Sequence, residues 1–167
     1  MDNHKFNEFI KISQKLNEIE IIPLLMGSVG LEVITGESWD AQDIDIHVPG
    51  DKRGLEVPPE LSIHNWMDIV KIMTLMEYSL IDLHEHGFYK EGLSVEFGIF
   101  DTLPNFARIQ LVDLEIHHKE NAKYYLLNPE QYLHVFNSSS KDSYRANKNN
   151  HKDLRKIDYL KNMIDYD

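Results

Sequence analysis

Two aspartates stand two residues apart in Asp43-Ile44-Asp45, and a third acid, Glu96, sits alone between Val95 and Phe97. The run Asp43-Ile44-Asp45-Ile46-His47-Val48 alternates polar and apolar, which is the period of a half-buried strand. Residues two apart on a strand share a face, so the two carboxylates project together, roughly 6–7 Å apart at the backbone. Such a pair repels itself. A cation that neutralises it restores the balance, and all-oxygen ligands favour Mg²⁺ or Mn²⁺. An exposed, solvated strand face is the bland alternative for any Asp-x-Asp. Upstream, Gly27-Ser28 ends a short apolar run abruptly, and a Gly-Ser turn at a helix N-terminus offers backbone N–H groups and a hydroxyl to phosphate oxygens.

The elements that must position these residues follow from periodicity. Phe6, Phe9, Ile10, Ser13 and Leu16 fall near helical spacing and predict an opening amphipathic helix. Residues 21–26 are an apolar run of strand length. Leu31-Glu32-Val33-Ile34 followed by Gly36 predicts a two-turn helix closed by a C-terminal glycine. Pro49-Gly50 ends the aspartate strand, residues 51–62 read as an irregular excursion, and Trp66, Ile69, Val70 and Met73 support a helix of roughly three turns. Residues 78–83 alternate again. Residues 86–90 and 93–97 flank Glu91-Gly92 as a two-residue β-hairpin, whose simplest register sets Gly87 opposite Glu96. Weak strands are expected at 108–116 and 123–126. Asn128-Pro129-Glu130 opens a helix, and Leu154, Ile157, Leu160 and Ile164 stripe another over 152–164. The polar stretch 137–150 between them reads as a mobile surface loop. With no repeat and no linker, one domain is expected, a sheet-containing core over 1–127 and C-terminal helices over 128–167.

Composition narrows the function classes. The chain has 167 residues, 17 Lys+Arg against 28 Asp+Glu, and a formal net charge of −11. That balance argues against extended nucleic acid or an anionic membrane as partner. The absence of cysteine removes disulfides, thiol nucleophiles and cysteine zinc sites and fits a reducing cytoplasm. No run is long enough for a signal peptide or a membrane span, so a cytoplasmic protein is expected.

Met26-Gly27-Ser28, then Asp43-Ile44-Asp45-Ile46, then Glu96 resemble the fingerprint of the nucleotidyltransferases of the DNA polymerase β type. The resemblance covers about the first 100 residues. The 14 residues between Ser28 and Asp43, with Leu31 and Gly36, look most like the small branch that adenylylates aminoglycosides or lincosamides. It implies an α/β (α+β) nucleotidyltransferase fold, a small mixed, mostly antiparallel sheet flanked by helices. It also implies transfer of a nucleoside monophosphate from an NTP, ATP by family habit, to a hydroxyl of a small molecule, an antibiotic for instance, or of a protein. Asp43 and Asp45 would bridge two Mg²⁺ (or Mn²⁺) ions, one steadying the triphosphate and one lowering the pKa of the acceptor hydroxyl. Glu96 would complete the second metal site or take the hydroxyl proton, two roles that stay open. Gly27 and Ser28 would cradle phosphate, and Lys152 and Arg155, three apart in a basic cluster with Arg145 and Lys148, would reach the triphosphate.

Other chemistry is weaker. His84-Glu85-His86 and His117-His118 lack zincin spacing and a second ligand set, so packing or surface roles are expected. Trp66, Tyr124 and Tyr125 could stack a base, with core packing favoured. A haloacid-type phosphatase also begins with Asp-x-Asp, but it leaves the Gly-Ser turn unexplained. The rival from another class is a non-catalytic nucleotide- or partner-binding module of the same fold, an antitoxin-like regulator. Trp39-Asp40-Ala41-Gln42 stands where the antibiotic-modifying relatives often carry arginine and histidine, which favours that rival.

Overall fold

A computed structural model describes residues 3–140 and 143–165, with side chains for 3–139 and 153–165. In chain order the elements are α1 (His4–Glu18), β1 (Leu24–Met26), α2 (Gly27–Thr35), β2 (Asp43–Val48), α3 (Pro59–Ser62), α4 (Trp66–Leu75), β3 (Ser79–Asp82), β4 (Gly87–Lys90), β5 (Leu93–Ile99), α5 (Leu103–Ala107), β6 (Glu115–Lys119), β7 (Ala122–Leu126), α6 (Pro129–Ser140) and α7 (Ser143–Asp165). Short 3₁₀ turns lie at Gly54–Glu56, Phe100–Thr102 and Leu111–Asp113.

The seven strands form one sheet in the order β3-β4-β5-β2-β1-β7-β6. β2 runs parallel to β5 and β1 parallel to β7, while β1–β2, β3–β4, β4–β5 and β6–β7 are antiparallel. The expected mixed, mostly antiparallel sheet flanked by helices is therefore present. Alternation decides which face is dry. Ile44, Ile46 and Val48 of β2 and Val95, Phe97 and Ile99 of β5 enter one core with Phe9, Ile10, Ile12 and Leu16 of α1 and Trp66, Ile69 and Met73 of α4. The opposite face of β2 and β5 carries Asp43, Asp45, His47, Ser94, Glu96 and Gly98, all exposed or half-buried.

The chain divides into two compact units: residues 1–102 with 115–126, which hold the whole sheet, and residues 103–114 with 127–167. Residues 103–114 thus group with the C-terminal helices. The expected strand over 108–116 forms only from Glu115. Ahead of it Arg108 takes φ +56, and Asp113 and Leu114 donate their N–H groups to Gln110 and Leu111 carbonyls, so the backbone a ladder would need is spent in tight turns. In the second unit α6 and α7 pack together. Asn128 and Gln131 cap α6 reciprocally: the Gln131 N–H donates to Asn128 Oδ1 at 2.9 Å and the Asn128 N–H to Gln131 Oε1 at 3.0 Å.

Two expectations fail in this unit. The loop placed at 137–150 is largely helical, since α6 runs to Ser140 and α7 begins at Ser143; Ser and Asn cost only a few tenths of a kcal/mol each in a helix, too little to set a boundary. In α7, Ile157 and Leu160 are buried as the stripe requires, but Leu154 is 49% exposed and its neighbour Asp153 is buried instead. Among the described residues no helix is long and apolar enough to cross a membrane.

Candidate active site on the open face of the sheet

β2 begins at Asp43 and β5 runs beside it in parallel, with Asp43 opposite Ser94, Asp45 opposite Glu96 and His47 opposite Gly98. Adjacent strands lie about 4.8 Å apart, so Asp45 and Glu96 are neighbours across the ladder on the open face. The antiparallel hairpin β4–β5, turned at Glu91 and Gly92 (φ +47 and +83), sets Gly87 opposite Glu96, as its sequence predicts. Gly87 adds no side chain to this row. A Cβ there would meet Asp82 Cβ at 3.6 Å and Glu96 Cγ at 3.9 Å, so Asp82 and Glu96 flank a gap.

On the other side of β2, Met26 of β1 pairs with Asp45, and the chain turns at once into α2. Gly27 has φ +64 and an ideal Cβ on it would lie 3.1 Å from Asp45 Cβ and 3.3 Å from Asp45 Oδ2. Only glycine combines that conformation with that approach. Met26 occupies the N-cap position in extended conformation, and methionine has no oxygen with which to cap the helix. The first turn of α2, with Ser28, therefore stands directly beside Asp45. Gly36 closes the helix in the left-handed conformation.

Electrostatics follow from this crowding. Glu96 is held above the usual glutamate pKa, first by partial burial and then by the negative charges of Asp43, Asp45, Glu85 and Asp82. His47 Nε2 lies 3.2 Å from Asp45 Oδ1. The three acids share a face, yet among the described residues no three His, Asp or Glu side chains are gathered closely enough to hold one metal ion.

Asp43, Asp45, Glu96, Gly27 and Ser28 thus come together in the first unit. Lys152 and Arg155 do not belong to that unit; Arg155 is exposed on α7, and the side chain of Lys152 lies outside the described residues, as do those of Arg145 and Lys148. The aromatic and histidine expectations resolve toward packing. Trp66 and Tyr124 are buried, and Tyr125 meets Phe100 edge-on. His86 is buried under Trp66, with Nε2 2.8 Å from the Pro59 carbonyl oxygen; His84 is exposed and contacts Glu85, and His117 stacks on Tyr124. Two residues escape sequence reasoning. His47 continues the period-two row of the aspartates, which is the signal that could have found it. Tyr89, 46% exposed, pairs with Ser94 in the same row as Asp43. A separate cavity of about 400 Å³ in the second unit is lined by Arg108, Gln110, Asp113, Gln131 and His134 and includes none of Asp43, Asp45 and Glu96.

Comparison with known proteins adds a relative along nearly the full chain. The sequence is 39% identical over 160 residues to the uncharacterized protein YnaI of Bacillus subtilis (strain 168), spanning 95% of this chain and 97% of YnaI. The chain belongs to the YnaI family. No family model matches it. Among solved structures, this YnaI-family chain resembles the crystal structure of an antigenic nucleotidyltransferase-like protein from Paracoccidioides brasiliensis, with a TM-score of 0.64 at 14% identity over 95% of this chain and 76% of the other. The fold of this chain is thus nucleotidyltransferase-like.

Proposed function

We propose that the protein is a metal-dependent nucleotidyltransferase that moves a nucleoside monophosphate from an NTP, ATP as the default donor, to a hydroxyl of a small molecule or a protein. Antibiotics of the aminoglycoside or lincosamide kind are included among the small molecules. One observation carries the reading: Asp45 stands between Glu96 on one side and the glycine-opened N-terminus of α2 on the other. Carboxylates suited to a cation beside a helix N-terminus suited to a phosphate support a metal–triphosphate site. The nucleotidyltransferase-like fold agrees with it.

The carboxylates suit Mg²⁺ or Mn²⁺ by donor chemistry, with the phosphate oxygens of the NTP making up the ligands the protein does not supply. The protein's ligands are hard oxygens of one sign; Glu96 is held above the usual glutamate value first by burial and then by the neighbouring negative charges. Asp43 and Asp45 would hold the cations, which when bound would supply neutralisation of phosphate charge and a lowered pKa for the acceptor hydroxyl. Gly27 lets the phosphate approach, and Ser28 donates its hydroxyl to a phosphate oxygen. Glu96, with its proton affinity raised, either completes the metal site or accepts the proton of the acceptor hydroxyl. The cytoplasm is the proposed compartment.

A second reading, a nucleotide- or partner-binding module without catalysis, draws on Trp39. This residue occupies the segment before the aspartate pair, and its backbone N–H donates to Glu32 Oε2 at 2.7 Å while its indole N–H donates to Thr35 Oγ1 at 2.9 Å. The segment is thereby tied to α2 without contributing an arginine. The test is pyrophosphate release from radiolabelled NTPs with Mg²⁺ or Mn²⁺ over pooled hydroxyl acceptors. Release by the unmodified protein, abolished in a folded Asp43→Asn/Asp45→Asn double variant, is expected. Metal-dependent NTP binding without release over every acceptor would replace catalysis by the nucleotide-binding module, and no metal-dependent NTP binding would overturn the transferase and leave only the partner-binding module.

A further inference from the structure

Tyr89 stands apart from the other tyrosines. Tyr78 bonds Glu8, Tyr124 meets Phe9 edge-on, Tyr125 meets Phe100 and Tyr132 stacks on Phe136. Tyr89 is 46% exposed, and among the described residues no hydrogen bond or ring contact holds its side chain. Its place on the sheet is fixed by pairing. In β4, Phe88 enters the core, while Gly87 and Tyr89 fall on the open face opposite Glu96 and Ser94 of β5. Ser94 is in turn opposite Asp43, and Glu96 opposite Asp45. Tyr89 and Glu96 are therefore diagonal neighbours of an antiparallel pair, about 7–8 Å apart at the backbone and within reach of an aromatic side chain. The β4 residue directly opposite Glu96 is Gly87, which adds no side chain there, and Asp82 of β3 pairs with Gly87 from the far side.

The direction of transfer decides which substrate meets this patch. The acceptor oxygen bonds to the α-phosphorus, the bond to the bridging oxygen breaks with its electron pair leaving on pyrophosphate, and the hydroxyl proton passes to Glu96 or to water. Attacking and leaving oxygens lie roughly in line through the phosphorus. The first turn of α2, the phosphate cradle, stands on the β1 side of Asp45. Pyrophosphate leaves toward that side, so the acceptor approaches from the other, over β5 and β4. The open face offers it Glu96, Ser94, Asp82 and Tyr89 there. Three of these present oxygen on a short or anionic side chain. Tyr89 alone adds a broad apolar plane.

We infer that Tyr89 is the acceptor platform of the site: a hydroxylated saturated ring, of sugar or cyclitol type, lies with its apolar face on the phenol and turns a rim hydroxyl toward Glu96. This inference rests on the nucleotidyltransferase reading and deepens it, by choosing a ring over an open-chain alcohol or a protein hydroxyl. Such a ring is apolar on its faces and polar around its edge, which matches an aromatic plane bordered by the carboxylates of Glu96 and Asp82. A tyrosine has two side-chain torsions to order, so the platform holds a ligand at little entropic cost. Tyr89 sets which acceptor is held and takes no part in moving charge.

The test uses the full chain with Mg²⁺ and a non-hydrolysable ATP analogue, its tyrosine rings isotope-labelled for magnetic resonance, alongside thermal unfolding of each variant. Kanamycin, lincomycin and myo-inositol are the ring probes; sorbitol and a serine-containing tripeptide are the open-chain ones. At least one ring probe should shift the Tyr89 signals, identified as those missing from Tyr89→Leu, and the open-chain probes should not. Tyr89→Leu should weaken binding of that ring probe about 10-fold, while Tyr89→Phe, which keeps the plane, should stay within about threefold of the unmodified protein. Affinity for the ATP analogue should be the same in all three. Unaltered probe affinity in a folded Tyr89→Leu, or open-chain probes bound as well as rings, would overturn the inference. A matching loss of ATP-analogue affinity in Tyr89→Leu would put the phenol under the nucleobase and overturn it too. A protein that binds the analogue but no ring probe at millimolar concentration overturns the inference alone. One that binds no analogue with Mg²⁺ overturns the transferase reading, and the inference with it.

Discussion

Glu96 is the residue at which burial and neighbouring charge act in the same direction. Its folded pKa is raised by partial burial, Asp43, Asp45, Glu85 and Asp82, so the folded protein holds this proton more tightly than the unfolded chain does. Stability attributable to Glu96 therefore falls as pH rises from the ordinary glutamate value of about 4.3 through the raised folded value, and the full penalty is present above it. Glu96→Gln removes the charge. The metal-free variant should unfold at a higher temperature than the unmodified protein at neutral pH, with the difference vanishing below about pH 4 where both side chains are neutral. Calorimetric midpoints across that range check it, and equal midpoints at neutral pH would mean that Glu96 is fully compensated. In the transfer assay the same substitution should lower turnover by about 10²–10⁴-fold if Glu96 takes the acceptor proton, with NTP affinity nearly unchanged.

Between elements, the same competition is settled by pairing. Glu8 of α1 is 5% exposed, and its Oε1 accepts the Tyr78 hydroxyl at 2.7 Å and lies 3.5 Å from Lys90 Nζ. Lys90 also donates to the Met76 carbonyl at 3.1 Å and lies over the Tyr78 ring. Burial and then Glu8 push the Tyr78 pKa up, so the phenol stays a donor. This cluster joins α1 to the ends of α4 and β4. Lys90→Met should cost about 1.5–3 kcal/mol by leaving a buried carboxylate with fewer partners, and Glu8→Leu combined with Lys90→Met should cost less than the two single changes summed. Urea unfolding of the four proteins measures the coupling. Elements of this sheet were legible where one rule acted alone. β2 matches its predicted limits because its alternation is unbroken, and the β4–β5 register follows from Glu91-Gly92. β1 is shorter than the apolar run 21–26, since Pro23 has no N–H to give a ladder and pairing starts at Leu24. Asp43, Asp45, Glu96 and Gly27 could be named from the chain. The placing of His47 opposite Gly98 could not, because it depends on β2 lying parallel to β5, a pairing that no local pattern encodes.

Over the whole molecule, a net charge of −11 repels itself, and the carboxylates gathered on one sheet face concentrate that repulsion. Added NaCl shortens the screening length from about 30 Å at 0.01 M to about 8 Å at 0.15 M, so the melting temperature of the metal-free protein should rise over that interval. A melting temperature that falls with salt would show that attractive ion pairs outweigh the net repulsion. The position of β1 sets a different requirement. Three residues long, it lies between β2, which follows within about twenty residues, and β7, whose Leu126 pairs with Leu25. On the ribosome, β1 can zip to β2 soon after both emerge, yet its second edge stays unpaired until the nascent chain has grown by about eighty more residues. At about 5–20 residues per second that wait lasts about 4–16 s. Throughout it Asp43 and Asp45 are already made, Glu96 joins them only partway through with β5, and the strand that seals the other side of β1 has yet to be made. An apolar edge of a central strand is then open to any neighbouring nascent chain, and the crowding at the carboxylate face must be borne by an unfinished core. Slow translation between residues 48 and 122 would prolong that exposure, which makes this interval the stretch of the message where pausing would cost the most folded protein.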